Sequence, residues 1–100
     1  VTGDEGGGAE RGSAEYEIIN ERGLHARAAS KLVQLAGRYP CDVELSSPEA
    51  EGVNAKSVMG VLLLCGAKGT RVRVRARGPR AAECVEAIGA LIAQRFGEEA

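Results

Sequence analysis

The sequence predicts an α+β domain in which an open antiparallel sheet is covered by helices on one side. Three observations predict it. The segments Cys41–Leu45 and Thr70–Arg77 alternate apolar and polar residues, so each has one dry face and one wet face. These strand-like segments are separated by stretches with helical periodicity, rather than following one another in a run. Aromatic residues make up only 3% of the 100 residues, so one core built from Val, Leu, Ile and Ala must hold the fold together.

In chain order, residues 1–14 are rich in glycine and charge and carry almost no bulky apolar side chain. Such a stretch does not bury enough surface to offset chain entropy, and it reads as a disordered extension. The folded domain, residues 15–97, opens with a short strand at Tyr16–Ile19, with Tyr16 and Ile18 facing inward. Asn20–Gly23 makes a turn. From Ala26 to Gly37 the apolar residues Ala29, Leu32, Val33 and Ala36 recur at helical spacing, with Gly37 offering a left-handed exit and Pro40 preventing continuation. Cys41–Leu45 is the second strand, and after a turn around Pro48 the chain returns in a short strand near Val53. The apolar run Val58–Leu64 is ambiguous by periodicity alone, but Ser57 as N-cap and Gly66 as stop favour a short helix. Thr70–Arg77 is the clearest strand. Pro79 then opens a last helix running to about Phe96, with Ala81, Val85, Ile88 and Ile92 on its inner stripe. The element order is β-α-β-β-α-β-α.

Composition removes several function classes. A formal net charge of −1 gives no general attraction to nucleic acid or anionic membrane. No apolar run approaches the length needed to span a bilayer, and no signal peptide is evident. The cysteines Cys41, Cys65 and Cys84 are odd in number and widely spaced. That suits reduced, buried thiols in a cytoplasmic protein better than a disulfide framework or a metal site. No cofactor or metal is expected, and a monomer is.

The chemistry concentrates at Gly23-Leu24-His25-Ala26-Arg27-Ala28-Ala29, around the single histidine of the chain. There an imidazole stands at a helix start, where unpaired N–H groups and the positive end of the dipole attract phosphate. A neutral imidazole is also a nucleophile near neutral pH. The small side chains Ala26, Ala28 and Ala29 leave room for a phosphoryl group and a partner surface. Arg27 brings a planar fork whose charge-assisted hydrogen bonds are each worth roughly 1.5–3 kcal/mol before solvent exposure is discounted. The plainer alternative is that His25 only caps the helix and Arg27 is a solvated charge.

GLHARAASKLVQLAGRY followed by VNAKSVMGVLLLCGAKGT resembles the HPr family, the histidine-containing phosphocarriers of the phosphoenolpyruvate:sugar phosphotransferase system. The resemblance covers about residues 15–97. It implies an open-faced β-sandwich, with three helices on one face of a four-stranded antiparallel sheet. It implies that His25 carries phosphate on Nδ1, that Arg27 moves toward it, and that the backbone N–H groups of Ala26 and Arg27 hold its oxygens. Enzyme I would be the donor and an enzyme IIA domain the acceptor, making the protein a phosphoryl-transfer intermediate rather than a free-standing enzyme. Ala28 departs from the family signature, which commonly has Pro there. The change frees an N–H near the phosphate and hints at a regulatory or nitrogen-type branch, in which partners are controlled without sugar transport. Ser57 corresponds to the serine that an HPr kinase/phosphorylase modifies in some bacteria, with Val58, Met59 and Leu62 as an apolar docking patch beside it. Arg71, Arg73, Arg75 and Arg77 share one strand face. If that strand lies between the first two, Glu15, Glu17, Asp42 and Glu44 flank them, and a paired face is favoured over a nucleic-acid platform.

Overall fold

The computed structural model describes residues 10–100. Its elements are β1 (Arg11–Glu17), α1 (Ala26–Ala36), β2 (Asp42–Ser47), β3 (Ala50–Asn54), α2 (Val58–Leu62), β4 (Arg71–Arg77) and α3 (Ala81–Ala93), followed by a 3₁₀ turn at Arg95–Gly97. The element order is the one that periodicity predicts. The four strands form one sheet in the order β1-β4-β2-β3. Each neighbouring pair is antiparallel. Helices cover one face, giving the open-faced sandwich.

Alternation along each strand decides which face is covered. Val43 and Leu45 of β2 and Val72, Val74 and Ala76 of β4 are buried, whereas Arg71, Arg73, Arg75 and Arg77 are exposed. From above, Ala28, Ala29, Leu32 and Ala36 of α1 close the core, together with Ala81, Cys84, Val85, Ile88 and Ile92 of α3. Because β4 lies centrally, its arginines meet carboxylates from both sides. Glu15 stands opposite Arg73, and Glu44 opposite Arg75. Arg71 Nε donates to Glu15 at 3.0 Å and Arg75 to Glu44 at 3.3 Å.

Several boundaries differ from the sequence expectation, each for a tertiary reason. The extension expected over residues 1–14 lies outside the described residues up to residue 9, but Arg11–Ala14 is strand. Pairing with β4 recruits this backbone without needing bulky side chains. Gly12 lets it lie flat on α3, since a Cβ there would stand 3.0 Å from the Ala82 Cα. Gly37 is not left-handed (φ −65°). Helix α1 instead tightens at its end, with Arg38 N–H bonding Leu35 O and Tyr39 N–H bonding Ala36 O, both at 3.1 Å. Pro79 precedes α3 rather than opening it, because Arg80, in the left-handed region at φ 64°, is the N-cap. Helix α3 ends at Ala93, and left-handed Arg95 and Phe96 swing the Phe96 ring into the core.

Cys65 is exposed, contrary to expectation, while Cys41 and Cys84 are buried. The helical period of the apolar run turns Val61 and Leu64 inward and carries Cys65 past the end of α2 toward solvent. Burial, reinforced by neighbouring Cys41, pushes the Cys84 thiol up to about 12, so it behaves as a small core hydrophobe. Among the described residues no helix is long and apolar enough to cross a membrane.

Candidate functional site

The site is built by the turn between β1 and α1. Ile18 continues the β1 pairing, its N–H bonding Thr70 O at 2.9 Å. The chain then folds back through Asn20–Gly23, closed by Gly23 N–H to Asn20 O at 3.1 Å. Gly23 sits at φ 65°, and a Cβ there would lie 2.3 Å from the carbonyl oxygen of Gly66. Only glycine fits both restraints. Leu24 N–H bonds that same carbonyl at 2.8 Å, which ties the turn to the segment after α2.

His25 follows as the N-cap of α1, with extended backbone (φ −73°, ψ 176°) and no side-chain capping bond. Its carbonyl accepts the first helical bond, from Ala29 N–H at 2.8 Å. The N–H groups of Ala26, Arg27 and Ala28 precede that bond and, as at any helix start, find no backbone partner among the described residues. Ala26 and Arg27 are exposed, but Ala28 and Ala29 are fully buried. Of the three alanines expected to leave room for an approaching group, only Ala26 faces solvent. The other two pack α1 onto the core.

The imidazole side chain is 25% exposed, neither free in solvent nor sunk in the interior. Its Nε2 is hydrogen-bonded to a carboxylate oxygen of Glu98. The other oxygen of Glu98 accepts from Asn20 Nδ2 at 2.9 Å, and the same amide donates to Gly23 O at 2.9 Å. The Asn20 bond, with a smaller part from His25, holds the Glu98 carboxyl below the usual carboxylate range. Glu98 is therefore ionised at neutral pH and only accepts hydrogen bonds, so Nε2 is the donor. The remaining ring nitrogen, Nδ1, makes no hydrogen bond among the described residues.

Arg22, Arg27 and Lys31 line a shallow depression together with Glu21, Glu98 and Glu99. Lys31 Nζ donates to Phe96 O at 2.6 Å, and Glu21 N–H bonds Ala100 O at 2.7 Å, so the end of the chain is fastened beside His25. Arg27 makes no ion pair among the described residues, leaving its fork available to an anion.

Helix α2 packs beside α1. Ser57 is its N-cap, the hydroxyl accepting from Gly60 N–H at 3.2 Å. Met59, Leu63 and Leu62 are 72%, 61% and 36% exposed. Val58, expected in this patch, is partly buried against the core, and Leu63 takes its place on the surface. Sequence reasoning missed Leu63, Asn20 and Glu98. Leu63 was legible as the next member of the exposed helical stripe. Nothing local pointed to Glu98, which lies 73 residues from its histidine.

Fold and site together define a small α+β protein with a solvent-reachable histidine at an anion-receptive helix start. Residues 13–94 match the family model described as "PTS HPr component phosphorylation site". The chain is 44% identical over 84 residues to the phosphocarrier protein HPr of Pseudomonas aeruginosa, covering 84% of this chain and 93% of that one. It is 48% identical over 81 residues to that of Cupriavidus necator, covering 81% and 90%. The crystal structure of HPr-C-His from Thermoanaerobacter tengcongensis superposes with a TM-score of 0.82 at 36% identity, covering 88% of this chain and 98% of that one. The chain belongs to the HPr family, the phosphocarriers of the phosphotransferase system.

Proposed function

We propose that the protein accepts a phosphoryl group from phosphorylated enzyme I on His25 Nδ1 and passes it to an enzyme IIA domain in the cytoplasm. The observation that carries this reading is an imidazole one quarter exposed at the start of α1, whose Nδ1 has no partner among the described residues, next to the first amides of the helix at Ala26 and Arg27. As Nδ1 attacks phosphorus, the bond to the donor's histidine breaks and its electron pair returns to the donor. The amides and the Arg27 fork then meet the three oxygens, where fixed donors are most effective. Ala28 adds one further N–H at the same helix start. Handing the group on reverses the step, with the acceptor attacking from the exposed side. Met59, Leu62 and Leu63 supply the apolar surface on which both partners dock, with Val58 supporting it from beneath.

Incubation with phosphoenolpyruvate and enzyme I is expected to place an acid-labile, base-stable label on this protein. His25→Ala is expected to abolish the label while leaving the melting curve nearly unchanged, because the ring is not part of the core. A labelled His25→Ala protein would refute the assignment. Adding enzyme IIA is expected to drain the label.

A second reading, regulatory and serine-controlled, is favoured by the position of Ser57 as N-cap at the edge of the docking patch. There an HPr kinase/phosphorylase would add charge to the surface that enzyme I uses. Label that reaches His25 but no permease component would mark this branch over sugar transport.

A further inference from the structure

We propose that Glu98, braced by Asn20, is the positioning residue of the phosphoryl site: it shields Nε2, keeps the proton there, and so directs the phosphoryl group to Nδ1. The proposal rests on the carrier reading and adds to it a residue outside the helix start. Three observations converge. The Glu98 carboxylate gives one oxygen to His25 Nε2 and the other to Asn20 Nδ2, so neither is left to rotate freely. Asn20 is fully buried and also anchored to Gly23 O, which fixes the carboxylate relative to the turn that carries the histidine. The Glu98 side chain is only 18% exposed, so the contact is partly shielded from water, where an ionic hydrogen bond counts for more.

The chemistry follows from valence. A neutral imidazole has one N–H and one lone pair. With its proton committed to Glu98, the lone pair is on Nδ1. When Nδ1 takes a phosphoryl group the ring keeps its Nε2 proton and acquires positive charge. The carboxylate already in contact balances that charge, as a carboxylate does for an imidazolium elsewhere in enzyme chemistry. Glu98 touches neither donor nor phosphate; it acts through the ring.

The test uses phosphoramidate, a small phosphoryl donor that needs no partner protein. The histidine nitrogen attacks phosphorus, the P–N bond breaks, and ammonia leaves with the electron pair. Nitrogen-15 and phosphorus-31 NMR then report which ring nitrogen is modified. The full chain is expected to give the Nδ1 product alone. Glu98→Ala is expected to give a mixture containing Nε2 product, and so is Glu98→Gln, because its single amide oxygen cannot accept from Asn20 Nδ2 and His25 Nε2 at once. Lacking the charge, Glu98→Gln is expected to react roughly tenfold more slowly, the low end of what a charge-assisted hydrogen bond contributes. Melting curves confirm that both variants fold. Nδ1-only product at the parent rate in Glu98→Ala, or both products in the parent chain, overturns the proposal. Failure of enzyme I to label a chain that shows this selectivity would remove the carrier reading and leave the role of Glu98 standing.

Discussion

At the scale of single residues, the site depends on atoms that have no alternative place to go. Gly23 is the sharpest case, since φ 65° and the Gly66 carbonyl both oppose a side chain. Gly23→Ala is expected to lose roughly 1–3 kcal/mol of stability by overpacking. It should also disturb the His25 ring, because Leu24 N–H shares that carbonyl. Denaturant titration together with the His25 NMR signals checks both effects; a variant as stable as its parent would show that the turn relaxes freely. Sequence reading placed Gly23 in the turn and His25 at the start of α1, because both placements follow from immediate neighbours. It over-assigned Ala28 and Ala29 to the site, since a helix start has two sides and only packing decides which one is wet.

At the scale of elements, α2 has only five residues and leans on its cap and on Val61 for its place. Ser57→Ala removes the acceptor for Gly60 N–H and is expected to cost about 1 kcal/mol. Ser57→Asp keeps a capping oxygen, so its melting temperature is expected to stay near that of the parent. Its phosphorylation by enzyme I is nevertheless expected to slow, because charge now borders Met59 and Leu62. Thermal melts and labelling rates on the two variants separate these effects; equal labelling rates for Ser57→Asp and its parent would uncouple Ser57 from the docking surface. Helix α3 teaches a different lesson. Its apolar stripe was readable to Ile92, but the stop at Ala93 was not, because residues 95–97 leave the helix to bury Phe96 in the core beside α1 and α3.

At the scale of the whole molecule, carboxylates couple folding to pH. Asn20 and His25 lower the pKa of Glu98, Lys68 that of Glu21, and Arg80 that of Glu83. A carboxylate with a depressed folded pKa contributes stability above its unfolded value, near 4.5 for these groups, and loses it as pH falls through the folded value. The melting temperature is therefore expected to be level above about pH 5 and to decline on further acidification. Glu98→Gln is expected to shallow that decline, because one of the depressed groups is gone. Melts from pH 3 to 7 on both proteins check this, and coincident slopes would show that Glu98 adds nothing to acid sensitivity. Tyr16 acts at the other extreme. Burial first, and then Glu86, raises its pKa, so its contribution is complete below pH 10.0 and fades as pH rises through the folded value.

By itself the sequence determined the order of elements, the covered face of each strand, and the histidine at an anion-receptive helix start. All of these are written in neighbouring residues through the two periodicities and the cap and turn chemistry. Only the tertiary structure decided that β4 lies between β1 and β2, that Arg11–Ala14 joins the sheet, and that Glu98 meets His25. Those outcomes depend on how separate segments share one core, and contact between residues 73 apart has no local signature.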